Sequence, residues 1–212
     1  LELEQADVEC KKAEEEKDSD ETSSETTKTG EMPLGVKRAQ IIYRMAFKKV
    51  KDVNFIIDLL NIAISHKNTE KLQQEIISNL INEYSNKPQM WELMARRELE
   101  GLSYDYQNEE AMVVDSPEES QSLRDRISNC NEVYQTAVKK LKCETMWTLY
   151  IDCLLEINQD LTHLPNFKRK LLKNALIQGH QVKKLEEKFY LYWAEMLRTE
   201  NMDDAAREKL YQ

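Results

Sequence analysis

The chain has 212 residues, 41% of them hydrophobic and 33% charged, with a formal net charge of -9 and a mean hydropathy of -0.70. Only four Gly and four Pro occur, which excludes collagen-like repeats and turn-dense β designs, and no run of about 20 apolar residues could cross a membrane as a helix. The acidity is local: residues 1–35 hold 12 acids and 4 bases, residues 101–125 hold 7 and 1, and the remainder holds 20 and 25, so the rest of the chain is mildly basic without the single-sign field of a dedicated nucleic-acid domain.

Residues 1–17 read as a partial helix, with Leu1, Leu3, Ala6, Val8 and Ala13 diluted by charge. A start on Leu1, without a basic stretch leading into an apolar one, predicts a fragment of a longer chain and no signal peptide. Residues 18–35 read as an acidic disordered linker, because a run such as Asp18 to Thr27 has no apolar residue to offset its ordering entropy.

Helical periodicity begins at Val36. Ala39, Ile42, Tyr43, Ala46 and Val50 share one stripe, and Val53, Ile56, Ile57, Leu60 and Ile64 share the next. His66-Lys67-Asn68 interrupts, and Leu72, Ile76, Leu80 and Tyr84 form a third stripe. Pro88 suits a first helical turn, and Trp91, Met94, Ala95, Glu98 and Leu102 mark a fourth helix closing near Gly101. Residues 102–115 read as an acidic inserted loop. Ser116-Pro117-Glu118-Glu119 reads as a capped helix start, which leads into Ile127, Cys130, Val133, Tyr134, Ala137, Val138 and Leu141. Met146, Trp147, Tyr150, Ile151, Leu154 and Leu155 follow. After Pro165 come Leu171, Leu172, Ala175 and Leu176, with Gly179 as the stop, then Leu185, Phe189, Tyr192, Trp193, Met196 and Leu197. A last helix is predicted from near Asn201, with Asp203 and Asp204 at its positive end.

No segment alternates as a strand does. The expected fold is all-α, an α-solenoid of antiparallel helix pairs in two helical blocks, 36–101 and 116–212. Two patterns alternate along it. Trp91-x-x-Met94-x-x-x-Glu98 and Trp147-x-x-Tyr150-x-x-x-Leu154 form one. Ile42-Tyr43-x-x-Ala46, Val133-Tyr134-x-x-Ala137 and Leu171-Leu172-x-x-Ala175 form the other. Small Ala lets helices approach closely, while Trp and Tyr fill the space between successive pairs, each of which leaves an apolar face for its neighbour.

These patterns resemble the HAT (half-a-tetratricopeptide) repeat of RNA-processing proteins. Trp91, Glu98, Trp147 and Tyr150 match its first helix. Ile42, Tyr43, Ala46, Val133, Tyr134 and Ala137 match its second, and Ala175 repeats the small position. Met94 and Leu154 depart from it, the segment from Val53 to Ile64 lacks Trp, and Ala206-Arg207 with Leu210-Tyr211 is a faint last match. Within that class, Ser85 to Trp91 running into Ala95-Arg96-Arg97-Glu98-Leu99-Glu100, and Val133 to Lys139 followed by Thr145 to Ile151, are similar to a U3 small nucleolar RNA-associated family. The resemblance implies a nucleolar scaffold of the small-subunit processome. It would support processing of pre-18S rRNA beside other processome proteins and the U3 small nucleolar ribonucleoprotein, with pre-ribosomal RNA touched indirectly. A HAT scaffold of mRNA splicing or 3′-end processing, and a direct RNA binder, remain alternatives.

Chemistry is not expected. There is no Gly-rich phosphate loop, His-Glu-x-x-His motif or Gly-x-Ser-x-Gly elbow. Cys10, Cys130, Cys143 and Cys153 form no Cys-x-x-Cys pair, and His66, His163 and His180 are scattered, so no metal, cofactor or catalytic set is predicted. The cysteines read as small core residues in a reducing compartment. Basic clusters at Lys48-Lys49-Lys51, Arg96-Arg97, Lys139-Lys140-Lys142 and Lys168-Arg169-Lys170-Lys173 read first as cations near helix C-termini. The candidate contacts for RNA or an acidic partner are Arg96, Arg97, Lys168, Arg169 and Lys170.

Overall fold

A computed structural model describes residue 4 and residues 33–102 and 122–210, with side chains through 198 in the final helix. The predicted N-terminal helix beyond Glu4, most of the 18–35 linker, the 102–115 loop after Leu102, the Ser116 cap and Cys10 lie outside the described residues. Among those that are described there is no strand. The helices run in order as α1 (Leu34–Lys49), α2 (Val53–Ile64), α3 (Glu70–Tyr84), α4 (Pro88–Glu100), α5 (Leu123–Leu141), α6 (Glu144–Gln159), α7 (Pro165–Gln181) and α8 (Glu187–Leu210). The fold class is therefore all-α.

Local chemistry sets several of the ends. The Asp52 carboxylate accepts from the Asn54 amide at 3.0 Å and caps α2. Ser122 does the same for α5, accepting from the Asp125 amide at 3.2 Å. Pro165 opens α7 behind Leu164, which sits in the left-handed region at φ 53. Gly101 (φ 85) turns the chain out of α4, as its position predicts.

The chain divides into two compact units, and the division passes through α4 between Leu93 and Met94. In the first unit α2 and α3 pack as a pair across the short turn at His66–Asn68, which makes them antiparallel neighbours. Ile56, Leu60, Ala63, Ile76, Ile77 and Leu80 are almost fully buried there. Thr69 in that turn is also completely buried. Its hydroxyl lies 2.7 Å from the Ala63 carbonyl and accepts from Gln73 Nε2 at 2.9 Å, so a polar side chain closes the turn without an orphaned group. The inner face of α1 meets α3 through polar contacts. Asn79 Nδ2 donates to the Tyr43 hydroxyl at 2.9 Å, and Arg44 grips Glu75 with bonds of 2.6 and 2.9 Å.

In the second unit each helix packs on the next, α5 on α6, α6 on α7 and α7 on α8. The core runs from Ile127, Cys130, Tyr134 and Ala137 through Met146, Tyr150, Ile151 and Leu154 to Leu172, Ala175, Leu176 and Phe189. The Tyr134 and Tyr150 rings stack at 5.1 Å between centroids. Cross-helix polar ties hold the surface, Arg96 to Glu156 at 2.9 Å and Lys188 to Asp152 at 3.1 Å.

Four expectations need correction. Ile42 and Ile64, placed on buried stripes, are 55% and 45% exposed. Each lies beside the true inner position (Tyr43, Ala63), and a 100° step carries it off the packed face. Gly179 does not stop α7, which continues to Gln181. No new helix starts near Asn201, because α8 runs unbroken from Glu187 to Leu210. Tyr192 and Leu197 on α8 are exposed as well, and only Phe189 of that stripe is fully buried.

Candidate partner-binding surface

The repeat positions do not all behave alike. Tyr134, Ala137, Tyr150 and Ala175 are buried to 1% exposure or less, and Trp147 to 5%. Burial raises the Tyr150 hydroxyl to about 12, and that hydroxyl donates to Asn131 Oδ1 at 2.5 Å. Tyr43 is buried, while Ala46 and Trp91 are half-buried; Trp91 Nε1 donates to the Ser85 carbonyl at 2.9 Å and ties α4 to its preceding turn. Glu98 accepts a long bond, 3.5 Å, from Asn129. Cys130 and Cys153 are free and buried, and Cys143 is half-buried. The hydrogen bond between the two buried thiols, aided by burial, pushes Cys130 far up, so it stays protonated.

The five candidate contact cations separate sharply. Arg97 is 5% exposed and Lys168 3%. Lys168 Nζ donates to the Asp160 carbonyl at 2.9 Å and to its carboxylate at 3.0 Å, holding down the connection between α6 and α7. The same carboxylate accepts from the Thr162 hydroxyl and from the Thr162 amide at 2.9 Å. Those bonds and the Lys168 ammonium hold it well below the usual carboxylate range. Arg97 and Lys168 thus present no charge that a phosphate could approach. Arg96 is partly exposed and already bidentate to Glu156. Arg169 and Lys170 are exposed. The histidines serve local contacts: His163 Nδ1 lies 3.3 Å from Asp160, and His180 Nδ1 lies 3.0 Å from the Tyr190 hydroxyl. Among the described residues no cluster of three His, Cys, Asp or Glu could hold a metal.

A cavity of about 590 Å³ lies where the last turns of α5 and α7 approach the first turn of α6. Its apolar lining is the buried Trp147 and Val138 with the half-exposed Val182 beside them. Its rim carries Lys139, Lys142 and Lys184, and Gln135, Gln178 and Gln181 stand around it. Two helix endings shape it. Lys142 ends α5 in the left-handed region (φ 50), and its amide donates to the Val138 carbonyl at 3.2 Å. Lys183 does the same after α7 (φ 56), and the Lys184 amide closes a six-residue ring on the Gly179 carbonyl at 3.0 Å, the Schellman ending. Gly179 itself lies under Trp147. A Cβ there would stand 3.3 Å from both Trp147 Cε3 and Leu185 Cδ1, so its lack of a side chain is what seats the indole. Sequence reading missed this cavity. Its signal was present in the adjacent lysines of two helix ends, but their convergence depends on tertiary packing.

Residues 128–210, from α5 into α8, match the family model described as U3 small nucleolar RNA-associated protein 6 C-terminal. The chain is 33% identical over 162 residues, 75% of its length, to the mouse (Mus musculus) U3 small nucleolar RNA-associated protein 6 homolog, of which this stretch covers 27%. The corresponding human (Homo sapiens) homolog is 32% identical over 152 residues, 70% of this chain and 25% of that protein. The chain thus spans about a quarter of the length of the curated relatives it matches. By its sequence, it resembles U3 small nucleolar RNA-associated protein 6.

Proposed function

We propose that this chain is a non-catalytic helical-repeat scaffold of the small-subunit processome. It supports nucleolar processing of pre-18S rRNA, in company with the U3 small nucleolar ribonucleoprotein, through protein–protein contacts. The observation that carries the reading is the likeness to proteins named for association with U3 small nucleolar RNA, which covers most of this chain. The fold agrees with it physically. Stacked helices bury their aromatic and alanine positions against one another and leave grooves and polar faces for partners. The burial of Arg97 and Lys168 removes two of the five candidate phosphate contacts, which favours proteins as the primary partners.

The test is an affinity capture with the tagged chain from nucleolar extract, probed for U3 RNA and by mass spectrometry. Recovery of U3 RNA together with processome proteins is expected. Recovery of splicing or 3′-end factors, or of neither set, overturns the assignment. Binding of the purified chain to naked pre-rRNA, with a steep salt dependence of about 0.7–0.9 per phosphate contacted, would move the primary contact from protein to RNA.

A further inference from the structure

We infer that the cavity between the ends of α5 and α7 and the start of α6 is a docking site for an acidic polypeptide segment with an apolar anchor. The inference deepens the scaffold reading and rests on it, by naming the surface and the chemistry of what it holds. The cavity lies within the region that the family model matches.

Charge complementarity selects the occupant. Lys139, Lys142 and Lys184 ring an apolar floor, and among the described residues none of the three has a carboxylate partner. This sets them apart from Lys168 and Lys188, whose ammonium groups are bound to Asp160 and Asp152. The negative ends of α5 and α7, about half a charge each, offset only part of the three lysine charges, and carboxylates entering among them are attracted by the remainder. A void of about 590 Å³ over the buried Trp147 and Val138, with the half-exposed Val182 at its side, has room for one or two large apolar side chains. The exposed glutamines Gln178 and Gln181 offer both donors and acceptors, which suits peptide backbone. Single-stranded nucleic acid is disfavoured by the same geometry. Stacking a base needs an open aromatic face, and Trp147 is 5% exposed and packed against Gly179.

Lys142 supplies a variant that separates folding from binding. Because it occupies a left-handed position, Lys142→Gly relieves backbone strain while removing one rim charge. The probe is a fluorescein-labelled peptide of about ten residues, with leucine and phenylalanine between pairs of glutamates, titrated against the chain by anisotropy. Saturable binding is expected at low salt. Lys142→Gly weakens it with no loss of thermal stability, and Lys139→Glu with Lys184→Glu weakens it at least about tenfold. The same peptide with lysines in place of glutamates does not bind. Absent binding of the acidic peptide, affinity unchanged in all of these variants, or preferential binding of a labelled oligouridine each overturns the inference. In the affinity capture the two readings fail differently. If the wild-type chain recovers no U3 RNA, the scaffold assignment falls. If it does, and Lys139→Glu with Lys184→Glu recovers the same proteins in the same amounts, only the docking site falls.

Discussion

Helices α1 and α5 carry the same pattern, an aliphatic residue and Tyr followed three residues later by Ala, yet they use it differently. In α5, Tyr134 and Ala137 are fully buried and Val138 is 6% exposed, because α6 lies along that face and lays Tyr150 flat on Tyr134. In α1, Tyr43 is 4% exposed, but Ile41, Ile42 and Met45 are each more than half exposed. The side of α1 that is held down faces α3, where Asn79 and Glu75 bind it by hydrogen bonds. The motif therefore sets which way a Tyr points. The depth of burial of its neighbours is set by whatever packs on the helix.

The largest effects should fall on α5 and α6. Tyr150→Ala removes a buried ring, its stacking on Tyr134 and a hydrogen bond to Asn131, and should cost about 3–5 kcal/mol. Ile42→Ala in α1 should stay within about 0.5 kcal/mol, as an exposed substitution does. Urea titration followed by circular dichroism measures both, and equal costs would erase the contrast between the two helices.

Gly179 gives the next effect. Gly179→Val must push Trp147 or Leu185 aside from contacts already at 3.3 Å and should lose about 1–3 kcal/mol. Gly179→Ala should come out near neutral, because a gain of about 1 kcal/mol in helix propensity offsets a milder crowding. A Gly179→Ala variant stabilised by that full amount would show that the indole is not seated by the missing side chain. A smaller contrast lies within one basic run. Lys168→Ala strips a buried stem and an ammonium bound to Asp160, so it should lower the thermal midpoint more than Arg169→Ala or Lys170→Ala, whose side chains are exposed. If the three midpoints coincide, Lys168 is not the clasp of the α6–α7 connection.

Helical periodicity and the Tyr, Trp and Ala spacing were enough to read an all-α fold and to find the core of the second unit, since Tyr134, Ala137, Tyr150 and Ala175 lie on the inner faces that a 3.6-residue period assigns them. Where that reading failed, the deciding contact was remote in sequence. Gly179 reads as a stop signal in isolation, and only Trp147, from the preceding helix, turns it into a packing site. Asn201 breaks a hydrophobic stripe, but α8 continues through it; a polar step interrupts amphipathicity without interrupting backbone hydrogen bonding. Lys168 belongs to a basic run, and nothing local distinguishes it from Arg169, because the carboxylate that claims it comes from the turn before its helix. The lysine-rimmed cavity was illegible for the same reason, being assembled from residues spread from Gln135 to Lys184.

The smallest effect compares one ion pair from each unit. Arg44–Glu75 joins α1 to α3 with its side chains 57% and 23% exposed, whereas Arg96–Glu156 joins α4 to α6 with its side chains 39% and 54% exposed, so the first pair has the more exposed cation but the better shielded carboxylate. Burial pushes the Glu75 carboxyl up, but hydrogen bonds from Arg44 and Gln40 outweigh it and hold the group below its ordinary 4.5. At Glu156 the Arg96 hydrogen bond lowers the carboxyl against a weaker desolvation. In both, the folded value lies below the unfolded one. Their stabilisation is therefore complete above the unfolded glutamate range and fades as pH falls from about 4.5 through the folded value. Double-mutant cycles at neutral pH should give a favourable coupling at Arg44–Glu75 and a smaller one at Arg96–Glu156, because the Glu75 carboxylate is better shielded from water and salt and is also held by Gln40. Raising the salt should shrink the second coupling first. A larger coupling at Arg96–Glu156 would mean that α4 is fastened to its neighbours more firmly by charge than α1 is, the reverse of what the shielding of the Glu75 carboxylate implies.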